Sequence, residues 1–341
     1  MSGLAWTQHL IMVPVLLPLL VGAFLIPLNE SRHRLKFAIN LFSTLVLFAT
    51  ALALFHLTDS GHWPDGMGIY LAANWAAPFG IAMLADRLSA LLLLLTAGLA
   101  LAALIFSMQR WSRIGVHFHS LFQLLLMGIN GAFLTNDLFN LFVFFEVMLA
   151  ASYGLVLHGY NVKRIRAGMQ YIAINLVASF LFLIGVALIY ATSGTLNMAD
   201  LAARVNTLAA DELSLLQIGA AVLALAFLTK CAMWPLGFWL PTTYSTASPP
   251  IAAMLVLMTK VGVYAVLRVW LLVFGGESAV SGFGFDALLW GGFATLIFGM
   301  VGMLASQEPG KLAGFAAITS SGTRRPPPAP CTASRKANGA T

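Results

Sequence analysis

The chain has 341 residues, of which 60% are hydrophobic and only 9% charged, with 18 Lys and Arg against 12 Asp and Glu. A soluble chain of this size carries about a quarter of its residues charged, so the composition excludes a soluble globular domain and indicates an all-α polytopic membrane protein. Two cysteines, Cys231 and Cys331, exclude a disulfide framework. The formal charge of +6 is spread over short loops and a C-terminal tail, which is a pattern of membrane topology and not of nucleic-acid binding.

A spanning helix needs about 20 apolar residues. The sequence divides into nine such segments, roughly 4–28, 37–57, 84–107, 117–135, 137–158, 167–193, 213–240, 249–274 and 284–305, and a tenth begins near Lys311. No basic residue precedes the first apolar stretch and no cleavage site follows it, so segment one is expected to be a retained helix. Asp59 to Met83 is too polar and too rich in Gly and Pro to span. It reads as an extracytoplasmic loop, a candidate β-hairpin, with Trp63, Tyr70 and Trp75 suited to the membrane interface. Asn197 to Asp211 reads as a short amphipathic helix on the surface.

Basic and acidic loops alternate. Arg32, Arg34 and Lys36 follow the first segment, Arg110 and Arg113 the third, and Lys163, Arg164 and Arg166 the fifth. The other loops hold Asp59, Asp65, Asp137, Asp200, Asp211, Glu212 and Glu277, with Arg204 as the exception. The excess of Lys and Arg on cytoplasmic loops then places the N-terminus outside. At the other end, QEPGKLAGFAAITSSG opens a helix that the run TRRPPPAPCTASRKANGAT stops after about a dozen residues, since three consecutive prolines cannot continue it. That run has the composition of a disordered basic tail. The expectation is a chain cut short, for instance by a shifted reading frame, against the plainer reading of a natural tail after a re-entrant stub.

Three ionisable residues lie deep in apolar segments. Glu146 is nine residues past Asp137, about 14 Å along a helix, and Lys260 is 11 residues past Pro249, about 16 Å along. Lys230 lies inside AVLALAFLTKCAMWPLGFWLP, five residues before Pro235. Proline has no N–H, so the carbonyl of Cys231 loses its helical partner and the seventh segment is expected to break or kink there. Broken backbone at membrane depth persists only when buried in protein or lining a wet cavity. Ser248, Pro249 and Pro250 supply an N-cap and a proline in the first turn, which fixes the start of the eighth segment.

The plain reading of Glu146 and Lys230 is a fixed ion pair joining helices. Two lysines to one glutamate leave an excess positive charge, which a static bundle rarely buries and a proton relay can use. His117 and His119 read as a solvated or headgroup-facing pair and His158 as an interfacial histidine, while Gln123, Asn130 and Asn175 read as interhelical hydrogen-bonding groups. Tyr244 to Ser248 forms a polar connection. No phosphate loop, zinc spacing, haem motif or dinucleotide fingerprint is present, so no cofactor and no metal are expected.

DLFNLFVFFEVMLAASYGLVLHG around Glu146, FLTKCAMWPLGFWLP around Lys230 and SPPIAAMLVLMTKVGVYAVLRVW around Lys260 resemble the antiporter-like subunits shared by respiratory complex I and the Mrp-type cation/proton antiporters. The likeness runs from the first segment to about Gly322 and is densest over 130–270. Among the branches it is nearest to the D-type subunits of the Mrp (Pha) antiporters, because TTYSTAS stands where complex I subunits tend to carry a histidine. The sequence departs from the family at Glu308 to Lys311, where an Asp-Leu-Lys-Arg type of sequence is more usual.

The resemblance implies that Glu146, Lys230 and Lys260 form the proton path, Lys230 on a broken helix. It also implies one complete five-helix repeat and the start of a second. The implied organisation is three N-terminal helices over 1–116 with a loop at 58–83, a first repeat over 117–274, an incomplete second repeat over 275–322 and an aberrant tail over 323–341. The implied function is a subunit of a hetero-oligomeric Na⁺ or K⁺/proton antiporter in a bacterial inner membrane, with no nucleic-acid partner. Two other readings stand beside it: a proton-translocating membrane subunit of an NADH-quinone oxidoreductase or related hydrogenase, and a non-functional truncated product.

Overall fold

The computed structural model describes residues 2–75, 78–159, 161–275 and 280–323. The expected disordered tail, apart from Thr323, and Glu277 lie outside the described residues. In chain order the helices are α1 (Ser2–His9), α2 (Val13–Leu25), α3 (His33–Asp59), α4 (Arg87–Ser107), α5 (Phe118–Leu134), α6 (Leu138–Val156), α7 (Val162–Ser193), α8 (Met198–Arg204), α9 (Ala210–Lys230), α10 (Trp239–Thr246), α11 (Pro249–Val273), α12 (Phe285–Ala305) and α13 (Pro309–Gly322). Two strands, β1 (Gly68–Leu71) and β2 (Ala82–Ala85), pair antiparallel between α3 and α4.

Among the described residues eight helical stretches are long and apolar enough to cross a membrane: Trp6–Leu25, α3, α4, α6, α7, α9, α11 and α12. The ninth expected span, α5, has 17 residues, the lower limit for a crossing. It is the central helix of the bundle: Phe122, Leu125, Leu126, Ile129 and Phe133 are all buried. The outside is apolar as a lipid-facing surface must be. Leu176, Val177, Phe180 and Ile184 are exposed on α7, and Trp290, Ile297, Val301 and Leu304 on α12.

Pro18 lies inside α2 and cannot donate to the carbonyl four residues back, that of Pro14. Asn130 of α5 fills the gap, its Nδ2 donating to Pro14 O at 3.0 Å. This is the interhelical role expected of Asn130. Gln123 has it too, donating to Asn40 Oδ1 at 2.8 Å, whereas Asn175 bonds within its own helix, to Tyr171 O at 2.9 Å.

The expected hairpin is present, and it closes the end of the bundle away from the basic loops. Met83 pairs with Thr135, and the N–H of Asn136 donates to Ala82 O at 2.9 Å. Trp63 does not sit at an interface as expected: it is 2% exposed, with its indole N–H on Thr7 Oγ1 at 3.3 Å. Short α8 is the expected amphipathic helix, with Ala199 and Ala203 exposed on one face and the other face packed on the protein. A backbone bridge between Asp137 and Asn197 draws it in, Asn197 caps it by accepting from Ala199 and Asp200 N–H, and Met198 and Leu201 are buried.

At the basic end, Lys36 is more than a topological charge. It is 1% exposed, and its Nζ lies 2.8 Å from Glu30 Oε1. Lys36, Asn40, Ser43 and Thr44 form one stripe of α3 that meets His119 and Gln123 of α5. His119 is therefore buried and not headgroup-facing, and His158, also buried, has its Nε2 3.3 Å from Trp111 O. His117 remains half exposed beside Glu30.

Candidate functional site

The seventh segment breaks as Pro235 requires, but the break begins four residues earlier: α9 ends at Lys230, and the chain resumes as α10 at Trp239. Lys230 is thus the last residue of a half-helix, and the C-terminal end of a helix carries partial negative charge that favours a cation. Ala232 takes a left-handed backbone, φ 56°. The freed backbone groups are satisfied by protein, as a dry interior demands. Ala232 N–H bonds Thr229 O at 3.1 Å, the Trp239 indole donates to the same carbonyl at 3.3 Å, and Trp234 N–H reaches Thr295 Oγ1 of α12 at 3.0 Å.

Glu146 and Lys230 do not form a direct ion pair within 4.0 Å. Ser179 of α7 stands between them. Its hydroxyl donates to Glu146 Oε1, and Lys230 Nζ donates to Ser179 Oγ at 3.2 Å. Lys230 Nζ also lies over the Phe145 ring, 4.9 Å from its centroid, a cation–π contact. Lys230 and Ser179 are buried, and Glu146 is partly buried. The Glu146–Lys230 pair of the plain reading is thus bridged by a serine in the structure.

Lys230 also opens onto a small cavity, about the size of one water molecule, lined by Phe145, Tyr171, Asn175, Trp239 and Tyr244. The Tyr171 hydroxyl lies 2.7 Å from Ser152 Oγ, and Tyr244 donates to Leu255 O at 2.5 Å. Tyr244, the first residue of the polar connection, is buried in the half-helix α10 and forms part of the cavity wall, while Ser245 and Thr246 stay partly exposed.

Lys260 is placed by α11, which starts where Pro249 and Pro250 put it, although the Ser248 hydroxyl makes no capping bond. Its Nζ donates to Ser321 Oγ at 3.3 Å and Ala317 O at 3.4 Å, both on α13. Each lysine is therefore held by a serine from another helix. Cys231, next to Lys230, packs on Gly262, two residues beyond Lys260. Glu146 and Lys230 thus meet through a serine bridge at the break, and the Lys260 helix touches the break through Gly262 while Lys260 itself reaches α13.

Residues 135–320 match the family model described as NADH:quinone oxidoreductase/Mrp antiporter, transmembrane. The chain belongs to this family. Among members of the family, it is 56% identical over 320 residues to a probable K⁺/H⁺ antiporter D-type subunit of Rhizobium meliloti, covering 93% of this chain and 59% of that protein. It is 37% identical over 318 residues to the Na⁺/H⁺ antiporter D-type subunit of Alkalihalophilus pseudofirmus, covering 92% and 62%. A chain in the structure of the Mrp complex from Dietzia superposes with a TM-score of 0.83 at 31% identity, covering 94% of this chain and 58% of that one. The chain thus spans about three fifths of the length of these antiporter-family relatives.

Two site residues escaped the sequence reading of this family member. Ser179 is a single hydroxyl in an apolar run and carries no signal by itself. Arg164 was legible only as a cytoplasmic charge. Its Nε donates to Thr246 O at 2.9 Å and its Nη1 to Gly159 O at 2.7 Å and to His158 O. One guanidinium thereby ties the end of α6, the Glu146 helix, to the end of α10, the second half of the broken helix.

Proposed function

We propose that this chain is a D-type membrane subunit of a multi-subunit Na⁺ or K⁺/proton antiporter, and that Glu146, Lys230 and Lys260 carry its protons. The observation that supports this most is the serine-bridged Glu146–Lys230 pair at the end of a broken, buried half-helix. A lysine whose carboxylate partner is reached through one rotatable hydroxyl can gain or lose that partner without moving a helix. Lys260, held by groups of α13, is the next carrier, and the Cys231–Gly262 contact keeps the two lysine segments together.

In this reading the protein lies in a bacterial inner membrane with its N-terminus outside, since the basic loops of Arg32, Arg110 and Arg164 gather at one end. Residues 117–274 form a first repeat and 275–322 the start of a second. The partners are the other subunits of the antiporter. The chain is a transporter subunit and not a catalytic enzyme.

The test is Na⁺- and K⁺-driven proton exchange in vesicles holding the assembled complex. Lys230→Ala and Glu146→Gln are expected to abolish exchange while leaving assembly intact. Undiminished exchange in both overturns the relay. The family also includes NADH:quinone oxidoreductase subunits, so the co-purifying partners discriminate. Small hydrophobic subunits fit the antiporter, and iron–sulfur or flavin proteins overturn it in favour of a redox-driven proton pump.

A further inference from the structure

We propose that Ser179 is a working member of the proton path, the hydroxyl through which a proton crosses between Lys230 and Glu146. The proposal rests on the reading of those two residues as carriers and adds a third group to it.

The hydrogen bonds of α7 and its neighbours single this serine out. Hydroxyls in spanning helices ordinarily turn back onto their own backbone. Ser193 does so with Ile189 O at 2.7 Å, Thr229 with Leu225 O at 2.8 Å and Ser152 with Leu149 O at 2.7 Å. Ser179 does not. Its one proton goes to Glu146 Oε1 on α6, and its oxygen accepts from Lys230 Nζ on α9. A serine has one donor and two acceptor sites, and here the donor and one acceptor are spent on two groups of opposite charge on two other helices. The residue is 5% exposed, so water does not compete for these bonds.

Phe145 adds a second contact to the lysine. Phe145 places its ring under the ammonium, 4.9 Å from Nζ, beside the Glu146 that it precedes in sequence.

The transfer balances without any other reactant. An N–H bond of the Lys230 ammonium breaks as an O–H bond forms on Ser179 Oγ. The original Ser179 O–H breaks as its proton binds Glu146 Oε1. The products are a neutral amine, an unchanged hydroxyl and a carboxylic acid, and the reverse step restores the charged pair. Rotation of the serine about χ1 opens the bridge, which gives the pair a disconnected state with no helix motion.

Two measurements test this, one of them independent of transport. In the first, the purified chain in lipid nanodiscs is examined by infrared difference spectroscopy, with Glu146→Gln identifying the Glu146 carboxyl bands. Ser179→Ala is expected to shift those bands and Ser179→Thr, which keeps a hydroxyl, to shift them less. Bands that Ser179→Ala leaves in place overturn the bridge.

In the second, proton exchange by the assembled complex is expected to fall about a hundredfold or more in Ser179→Ala, the scale of removing a proton-transfer group, with the melting temperature unchanged and most of the loss recovered by Ser179→Thr. Full exchange in Ser179→Ala overturns the serine's role in transfer. An unsubstituted complex that exchanges nothing overturns the proposed function instead, while the infrared result still decides the bridge.

Discussion

Gly262 of α11 presses its bare Cα against Cys231 at the break in the lysine helix. A Cβ added at 262 would lie 2.9 Å from Cys231 Sγ and 3.1 Å from its backbone nitrogen. The sulfur could turn about χ1, but the backbone nitrogen cannot, so the break itself would have to give. Overfilling a packed interior costs about 1–3 kcal/mol. Gly262→Ala is expected to lower the melting temperature of the purified protein, and Gly262→Leu to separate the Lys230 and Lys260 segments and abolish proton exchange. An unchanged melting temperature in both would contradict the contact.

Arg164 holds three backbone carbonyls at two helix ends, those of His158, Gly159 and Thr246. Hydrogen bonds from a charged donor contribute about 1.5–3 kcal/mol each, and helix C-termini favour a cation. Arg164→Gln is expected to destabilise the protein by about 2 kcal/mol, on the scale of one such bond. It should also speed amide hydrogen exchange over 239–248 more than over the rest of the chain. Arg164→Lys should recover only part of this, because an ammonium lacks the planar fork that reaches both ends. Uniform exchange along the chain in Arg164→Gln would refute the clamp.

Asp86 and Arg268 tie α4 to the Lys260 helix, Oδ2 to Nη1 at 2.5 Å. Asp86 is the N-cap of α4, just outside the span, and accepts from Ser89 N–H at 2.8 Å. Burial pushes its carboxyl up, but the Arg268 guanidinium and the Ser89 bonds more than offset this and hold it below the ordinary carboxylate range. A carboxyl depressed on folding contributes stability above its unfolded pKa, and that stability is lost as pH falls through the folded value. The loss therefore belongs to strongly acidic solution, below about 3.9. Asp86→Asn keeps the cap and removes the charge. Melting temperatures measured from neutral to acid pH should be lower in this variant at neutrality and should converge with the unsubstituted protein in acid. Parallel curves would show that the pair contributes no pH-dependent stability.

Much of the fold was legible because the membrane imposes it. Apolar runs of spanning length, separated by charged or Gly/Pro-rich stretches, marked the helices to within a few residues. The 59–83 stretch could not span and does form a hairpin. Pro235 announced the break, and the three intramembrane charges stood out against their surroundings. The polar stripe of Lys36, Asn40, Ser43 and Thr44 was there to be found at intervals of three and four residues, but Lys36 was counted as a loop charge because it adjoins Arg32 and Arg34. Trp63 was assigned to the interface on residue type alone, and the fold buries it beneath the first helix and the hairpin.

By itself, then, the sequence determined that the chain is a bundle of apolar helices, the position of the charges and the place where a helix must fail. These follow from the cost of burying charge and unpaired backbone, which each segment meets within its own length. The tertiary structure alone decided which hydroxyl separates Glu146 from Lys230, which arginine joins the two helix ends and which glycine lets α11 touch the break. These are meetings across helices of residues 31 to 82 positions apart. No local pattern encodes them, because a serine bonded to its own backbone and a serine bonded across to a carboxylate read the same in the chain.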